Sequence, residues 1–60
     1  MNIMDFEKEL ENIKKSTTDK NIIDRIDFLL VFTKSEQLLF AYGVNSMRRE
    51  IDLIRKLVGA

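Results

Sequence analysis

The 60-residue sequence contains no cysteine, no histidine and no proline, and its only two glycines are Gly43 and Gly59. Without cysteine the chain forms no disulfide and offers no thiolate to a metal, and without histidine a zinc site is not expected. Because proline and glycine are so scarce, no segment has the composition of a linker. We therefore expect one domain over residues 1–60, with no metal and no cofactor.

The shortness of the chain limits how stable it can be alone. A domain of this size buries only about 60% of the surface that its unfolded chain exposes. Small domains of this kind are usually supported by disulfides, by a metal or by a partner subunit. The first two are excluded, while 45% of the residues are apolar and concentrate between Ile22 and Val44. The sequence thus predicts a homodimer.

Ten basic and ten acidic side chains give a net charge of zero, so no overall field attracts nucleic acid or a membrane. The longest apolar run, residues 28–32, is far shorter than the ~20 residues of a membrane-spanning helix. The N-terminus lacks the apolar region of a signal peptide. These features predict a soluble cytoplasmic protein without membrane contact.

Groups that carry out catalysis are scarce. Serine, aspartate and glutamate side chains are present, but none lies in a recognisable arrangement with a general base. Carboxylate pairs such as Asp24 with Asp27 are ordinary on solvated helix faces. No glycine-rich phosphate loop and no calcium loop occurs. We predict that the protein is not an enzyme, and no motif identifies a family.

The apolar residues recur at helical spacing, which predicts an all-α fold. The first helix is predicted at 3–16 from a spacing of three, four and three: Ile3, Phe6, Leu10 and Ile13. The second is predicted at 19–32, with Thr18 or Asp19 as its N-cap. A strand over 27–33 is the alternative there, and the lack of a partner strand disfavours it.

A third helix is predicted at 34–58, opened by a capping box of Thr33 and Glu36. Gly43 leaves two alternatives for this segment. It can lie inside one long helix, at a cost of about 1 kcal/mol relative to alanine, or it can separate a third helix from a fourth. An unbroken heptad register from Phe40 to Val58 favours the long helix. The predicted architecture is therefore a three-helix, alternatively four-helix, chain.

The heptad stripe predicts where a second copy would pack. Together with Phe32, its members form the predicted dimer interface: Phe32, Phe40, Val44, Met47, Ile51, Ile54 and Val58. The alternative is packing within one chain against the acidic first helix, where Glu7 and Glu9 would pair with arginines of the C-terminal helix.

The polar flank of the last helix carries four cations that we predict to bind a partner: Arg48, Arg49, Arg55 and Lys56. Alternatively, these cations lie on a solvated helix face, where they interact favourably with the negative C-terminal end of the helix dipole. Small size, missing catalytic groups, surplus apolar surface and zero net charge together favour a regulatory protein whose target is another protein. Inhibitors, antirepressors, antitoxins and phage host-takeover proteins are of this kind.

A DNA-binding regulator is the alternative function. Residues 35–56 contain a short helix, a Gly-Val-Asn segment and a helix with two early arginines, as in a helix-turn-helix module. Arg49 and Asp52 stand where that pattern has apolar residues, and the basic balance of a DNA-binding domain is missing. A ribbon-helix-helix dimer would need a strand at 28–33 and has no place for the first helix. The sequence therefore ranks nucleic acid below protein as a partner.

Overall fold

A computed structural model describes residues 3–59, and within them it contains four α-helices and no strand. The helices are α1 (Ile3–Lys15), α2 (Lys20–Val31), α3 (Glu36–Tyr42) and α4 (Val44–Val58). The all-α prediction is confirmed, and α2 occupies the segment for which a strand was the alternative. The ribbon-helix-helix alternative is thereby excluded, since its strand would coincide with α2.

Three of the helices lie side by side, and α3 connects two of them. Lys14 near the end of α1 pairs with Asp27 of α2 at 2.7 Å, while Arg55 of α4 pairs with Glu9 of α1 at 2.6 Å. Helix α1 packs along both α2 and α4, which approach each other less closely. The result is an elongated bundle of 30 × 16 × 16 Å in which α2 runs antiparallel to its two neighbours.

The core is assembled from one apolar stripe on each helix. Nine apolar side chains are buried among the described residues: Phe6, Leu10, Ile13, Ile26, Leu29, Leu39, Met47, Ile51 and Ile54. Leu10, Ile26 and Met47 are fully inaccessible to solvent. The periodicity of α1 and α4 therefore predicted the buried faces of both helices.

Two polar side chains set where α2 and α3 begin. The Asp19 carboxylate accepts hydrogen bonds from the backbone N–H of Asn21 at 2.9 Å and of Ile22 at 3.4 Å. The Ser35 hydroxyl accepts one from the N–H of Leu38 at 3.1 Å. Each bond satisfies an amide that has no partner inside its helix. Asp19 is thus the N-cap of α2, as one of the two predicted candidates.

The predicted capping box of Thr33 with Glu36 is wrong, because Ser35 is the N-cap and α3 begins at Glu36. Thr33 instead belongs to the end of α2. Its side chain is buried, and its hydroxyl donates to the carbonyl oxygen of Leu30 at 2.7 Å. The same carbonyl oxygen also accepts the backbone N–H of Thr33 at 3.1 Å, so both donors of Thr33 close the last turn of α2.

Gly43 divides the predicted long helix into α3 and α4, so one continuous helix over 34–58 is wrong and the four-helix alternative holds. Its backbone has φ 103° and ψ 120°, a combination that only glycine adopts without strain. Its N–H donates to the carbonyl of Leu39 at 2.8 Å, and its own carbonyl accepts from the N–H of Met47 at 2.9 Å. Gly43 therefore ends one helix and starts the next without an intervening loop.

Removal of the α2 cap provides a test of the helix boundaries. Asp19→Ala is expected to lower the free energy of unfolding by about 1 kcal/mol, because two backbone amides lose their acceptor. Asp19→Asn is the matched control, since its side-chain oxygen can still accept these bonds. Urea denaturation followed by circular dichroism measures both variants. Equal stability of the alanine variant and the wild-type protein would contradict the cap.

Candidate interaction surface

The residues predicted as a dimer interface lie mostly inside a single chain. Met47, Ile51 and Ile54 belong to the core, and half-buried side chains of the same set pack against it: Phe32, Val44 and Val58. Of that set only Phe40 is widely exposed, at 67%. The stripe thus follows the alternative arrangement, in which α4 packs against α1 of its own chain. The homodimer itself stays a prediction, and a second copy would need another surface.

The four predicted partner-binding cations are all exposed, but they face two directions. Arg48 and Arg55 lie one heptad apart on the flank of α4 nearest α1, in a groove of about 360 Å³ that Asp5 and Glu9 also line. Arg49 and Lys56 lie on the outer flank of α4, beside a groove of about 270 Å³. The structure therefore does not combine the four into one cationic patch.

The pair between Arg55 and Glu9 is the arrangement expected if α4 packs on the acidic first helix. Both side chains remain more than 40% exposed. We expect Arg55→Ala to lower the free energy of unfolding by less than about 1 kcal/mol, since exposed ion pairs contribute little. The loss should shrink further at high salt, because ions screen the pair. Urea denaturation at low and high salt measures this, and a loss that grows with salt would contradict it.

A second set of apolar side chains is large and exposed, and most of it lies outside the predicted dimer interface. Besides Phe40, this set has five members, with exposures between 40% and 72%: Phe28, Val31, Leu38, Leu53 and Leu57. A signal for two of them is present in the sequence. Leu53 and Leu57 stand four residues apart, as neighbours on one helix flank do, and that flank is not the heptad stripe.

A chain of contacts runs across α2 and α4 and includes one of these side chains, Phe28. The Arg25 guanidinium pairs with the Glu50 carboxylate at 2.9 Å, and its Nε donates a second bond to that carboxylate at 3.2 Å. The same guanidinium lies 5.0 Å from the ring centroid of Phe28. Its pKa is raised above the ordinary value, mainly because Glu50 accepts this hydrogen bond.

Aromatic rings extend this chain of contacts from α2 toward α3. Phe28 meets Phe32 edge to face at 5.2 Å between centroids, and Phe32 lies 4.6 Å from Tyr42. Such contacts stabilise a pair by roughly 0.5–1.5 kcal/mol beyond the area that they bury. These contacts order one face of the molecule, which carries Arg25, Phe28, Phe32 and Glu50 and which we call the α2/α4 face. Much of its apolar surface remains exposed.

Within residues 3–59, no group of three or more His, Cys, Asp or Glu side chains is arranged to hold a metal ion. None of the helices described is long and apolar enough to cross a membrane. Comparisons of the chain with protein-family models, with curated proteins and with solved structures find no match. Function is therefore inferred from the surface of this chain alone.

Proposed function

We propose that the protein is a small non-enzymatic regulator that binds another protein through its helical surfaces and thereby inhibits or modulates it. The observation that supports this is the exposed set of six large apolar side chains on α2, α3 and α4, left outside a core of nine. Exposed apolar surface beyond what a single chain requires is typical of protein-binding sites. Inhibitors, antirepressors, antitoxins and phage host-takeover proteins act in this stoichiometric way.

The shape of the surface favours a protein target over a small molecule. The grooves among the described residues are shallow, and that between α1 and α2, lined by Glu11, Lys14, Lys15 and Leu30, measures about 400 Å³. A drug-sized ligand needs a site that encloses most of its surface. An amphipathic helix or a second folded surface needs only apolar anchors with a polar rim. Phe40, at 67% exposure, is the anchor we assign to the target.

Affinity capture tests this function. Immobilised wild-type protein is expected to retain one protein from a lysate of its native host, in a ratio near one to one. Phe40→Ala should reduce retention at least tenfold, because aromatic anchors carry much of the energy of an interface. Gln37→Ala is the matched control, since it shortens an exposed polar side chain on the same helix and lies outside the apolar set. The proposal fails if nothing is retained above background, or if Phe40→Ala retains as much as the control.

A DNA-binding regulator is the second candidate, and the break at Gly43 is the observation in its favour. Because α4 begins at Val44, Arg48 and Arg49 lie in its first two turns and both are exposed. The outer face also presents Asn45, a side-chain type that can contact adenine. However, Gly43 alone connects the two helices, whereas a helix-turn-helix has a turn of about 3–4 residues. The geometry therefore favours the protein-binding function.

A gel shift distinguishes this candidate from the first. If α4 contacts DNA, genomic fragments should be retarded at low salt and released as salt rises. Replacing Arg48 and Arg49 together with alanine should abolish the shift, whereas Lys20→Ala, on α2, should not. The absence of any shift at low salt would remove this candidate and leave the protein-binding function unaffected.

A further inference from the structure

Two helical stripes with the same spacing lie next to each other on the α2/α4 face. On α2 the stripe consists of Asn21, Arg25, Phe28 and Phe32, and on α4 it consists of Ser46, Glu50, Leu53 and Leu57. Each runs from a small polar residue through a charged residue to two apolar ones, at intervals of four, three and four. The ion pair between Arg25 and Glu50 fixes the two stripes side by side.

The antiparallel direction of α2 and α4 distributes the apolar residues to opposite ends of this face. From the central ion pair, Phe28 and Phe32 extend toward α3, whereas Leu53 and Leu57 extend toward the end of α4. Phe28 is 47% exposed, Leu53 55% and Leu57 72%. The face is thus an apolar strip along the molecule with a charged pair at its centre.

We propose that this α2/α4 face is the contact between two copies of the chain, related by a two-fold axis parallel to the helices. Self-association through this face does not depend on a regulatory target. Most of the heptad stripe is already buried within the chain, so the α2/α4 face takes its place as the contact surface.

Charge complementarity identifies both the occupant and the orientation. Two identical faces can be related by a two-fold axis in their plane, and the two limiting directions of that axis are along the helices and across them. An axis across the helices would place Arg25 on Arg25 of the second copy and Glu50 on Glu50. An axis along the helices places Arg25 on the second copy's Glu50, so that four charges alternate in sign. Like charges at a contact are costly, and alternating charges specify register.

Side-chain size permits the axis along the helices but does not select it. Phe28 then faces Ser46 of the second copy and Leu53 faces its Asn21. An axis across the helices pairs Phe28 with Asn21 and Leu53 with Ser46, so the charges alone set the orientation. The central charges contribute orientation more than affinity, because covering an ion pair also removes water from it. The apolar side chains at the two ends supply most of the favourable free energy.

The area of the α2/α4 face limits how strongly two copies can associate. A face of 30 by 16 Å presents roughly 500 Å² of projected area, below the ~800 Å² of accessible surface that each partner typically buries in a stable complex. The association is accordingly modest and concentration-dependent. We therefore expect the dimer to dissociate on dilution.

Light scattering on a concentration series tests the proposal. The wild-type protein should approach the mass of two 7.1 kDa chains at high concentration and of one on dilution. Glu50→Arg should remain monomeric, because the centre of the interface would then hold only cations. The double variant Arg25→Glu/Glu50→Arg should dimerise again, since the alternation of sign is restored. Exchanging the charges of Lys14 and Asp27, on the α1/α2 face, is the matched control and should not change the mass.

A second variant separates loss of contact from loss of folding. Leu57→Glu changes the most exposed member of the strip. The variant should be folded by circular dichroism and monomeric by light scattering. Raising the salt concentration should weaken the wild-type dimer, because ions screen the alternating charges. The proposal is overturned by a wild-type monomer at the highest concentration, as expected if another protein covers this face. A dimer that persists in Glu50→Arg, a double variant that stays monomeric, or a dimer strengthened by salt would also overturn it.

Discussion

Replacing Ile51 with alanine is expected to leave most of the chain unfolded at room temperature. The Ile51 side chain is 2% exposed and belongs to the buried stripe of α4. Truncating a buried isoleucine typically lowers the free energy of unfolding by about 2–5 kcal/mol, since contacts are lost and a cavity remains. A core in a chain of this size rarely supplies more than about 3–5 kcal/mol. The change therefore removes most of the available stability.

Circular dichroism in urea, at a concentration where light scattering shows one chain, measures this loss. Leu53→Ala is the matched control, since it makes a similar truncation two residues away on the exposed side of α4. It should change the free energy of unfolding by no more than about 0.5 kcal/mol. If Ile51 contributed only to a contact between two copies, the variant would instead be a stable folded monomer. That outcome would contradict the intramolecular core.

The helical positions could be predicted because each helix has a clear apolar period. Ile3–Lys15 and Lys20–Val31 lie within one residue of the predicted 3–16 and 19–32. The period identifies a buried face but not the surface that covers it. The same stripe of α4 would suit a second copy or α1 of its own chain, and the charges of Glu9 and Arg55 fit either arrangement. Only the tertiary structure decides between these two.

The error at Gly43 arose from a coincidence of spacing. Phe40 and Val44 stand four residues apart and so continue the heptad of α4 backwards. In the structure the buried residue of α3 is Leu39, while Phe40 points outward. The break at Gly43 therefore shifts the apolar pattern of α3 by one residue relative to that of α4. A window centred on Phe40 cannot show this, because Leu38, Leu39 and Phe40 are all apolar.

The exposed strip on α2 and α4 was missed for a different reason. A strong apolar period identifies one face of a helix as buried, and it assigns no role to apolar residues on another flank of the same helix. The ion pair of Arg25 with Glu50 places the flank of α4 that carries Leu53 and Leu57 next to α2. Such a juxtaposition of two distant segments depends on tertiary packing, which periodicity within one helix does not contain.

Gly43→Ala is the second substitution with a large expected effect, because α3 and α4 meet at this residue. At φ 103° and ψ 120° an alanine side chain is strained, and its Cβ would lie 3.2 Å from Oγ of Ser46. A backbone held in such a region costs of order 1–3 kcal/mol. Alanine also favours a helical backbone at position 43, which would join α3 to α4 and withdraw Leu39 from the core. Both effects oppose the observed fold, so we expect a loss of about 1–3 kcal/mol in urea denaturation.

Gly59→Ala is the matched control for this effect. Gly59 also has a positive φ, at 84°, but nothing lies within 4 Å of the added Cβ and no helix follows within the described residues. Its left-handed conformation costs an alanine roughly 1 kcal/mol, and fraying of the last turn can relieve that cost. Gly43 has no such relief, since its carbonyl accepts the first hydrogen bond of α4 and its N–H closes α3. Equal stability of the two variants would mean that the break at Gly43 is not required, and that α3 and α4 can join without loss of the core.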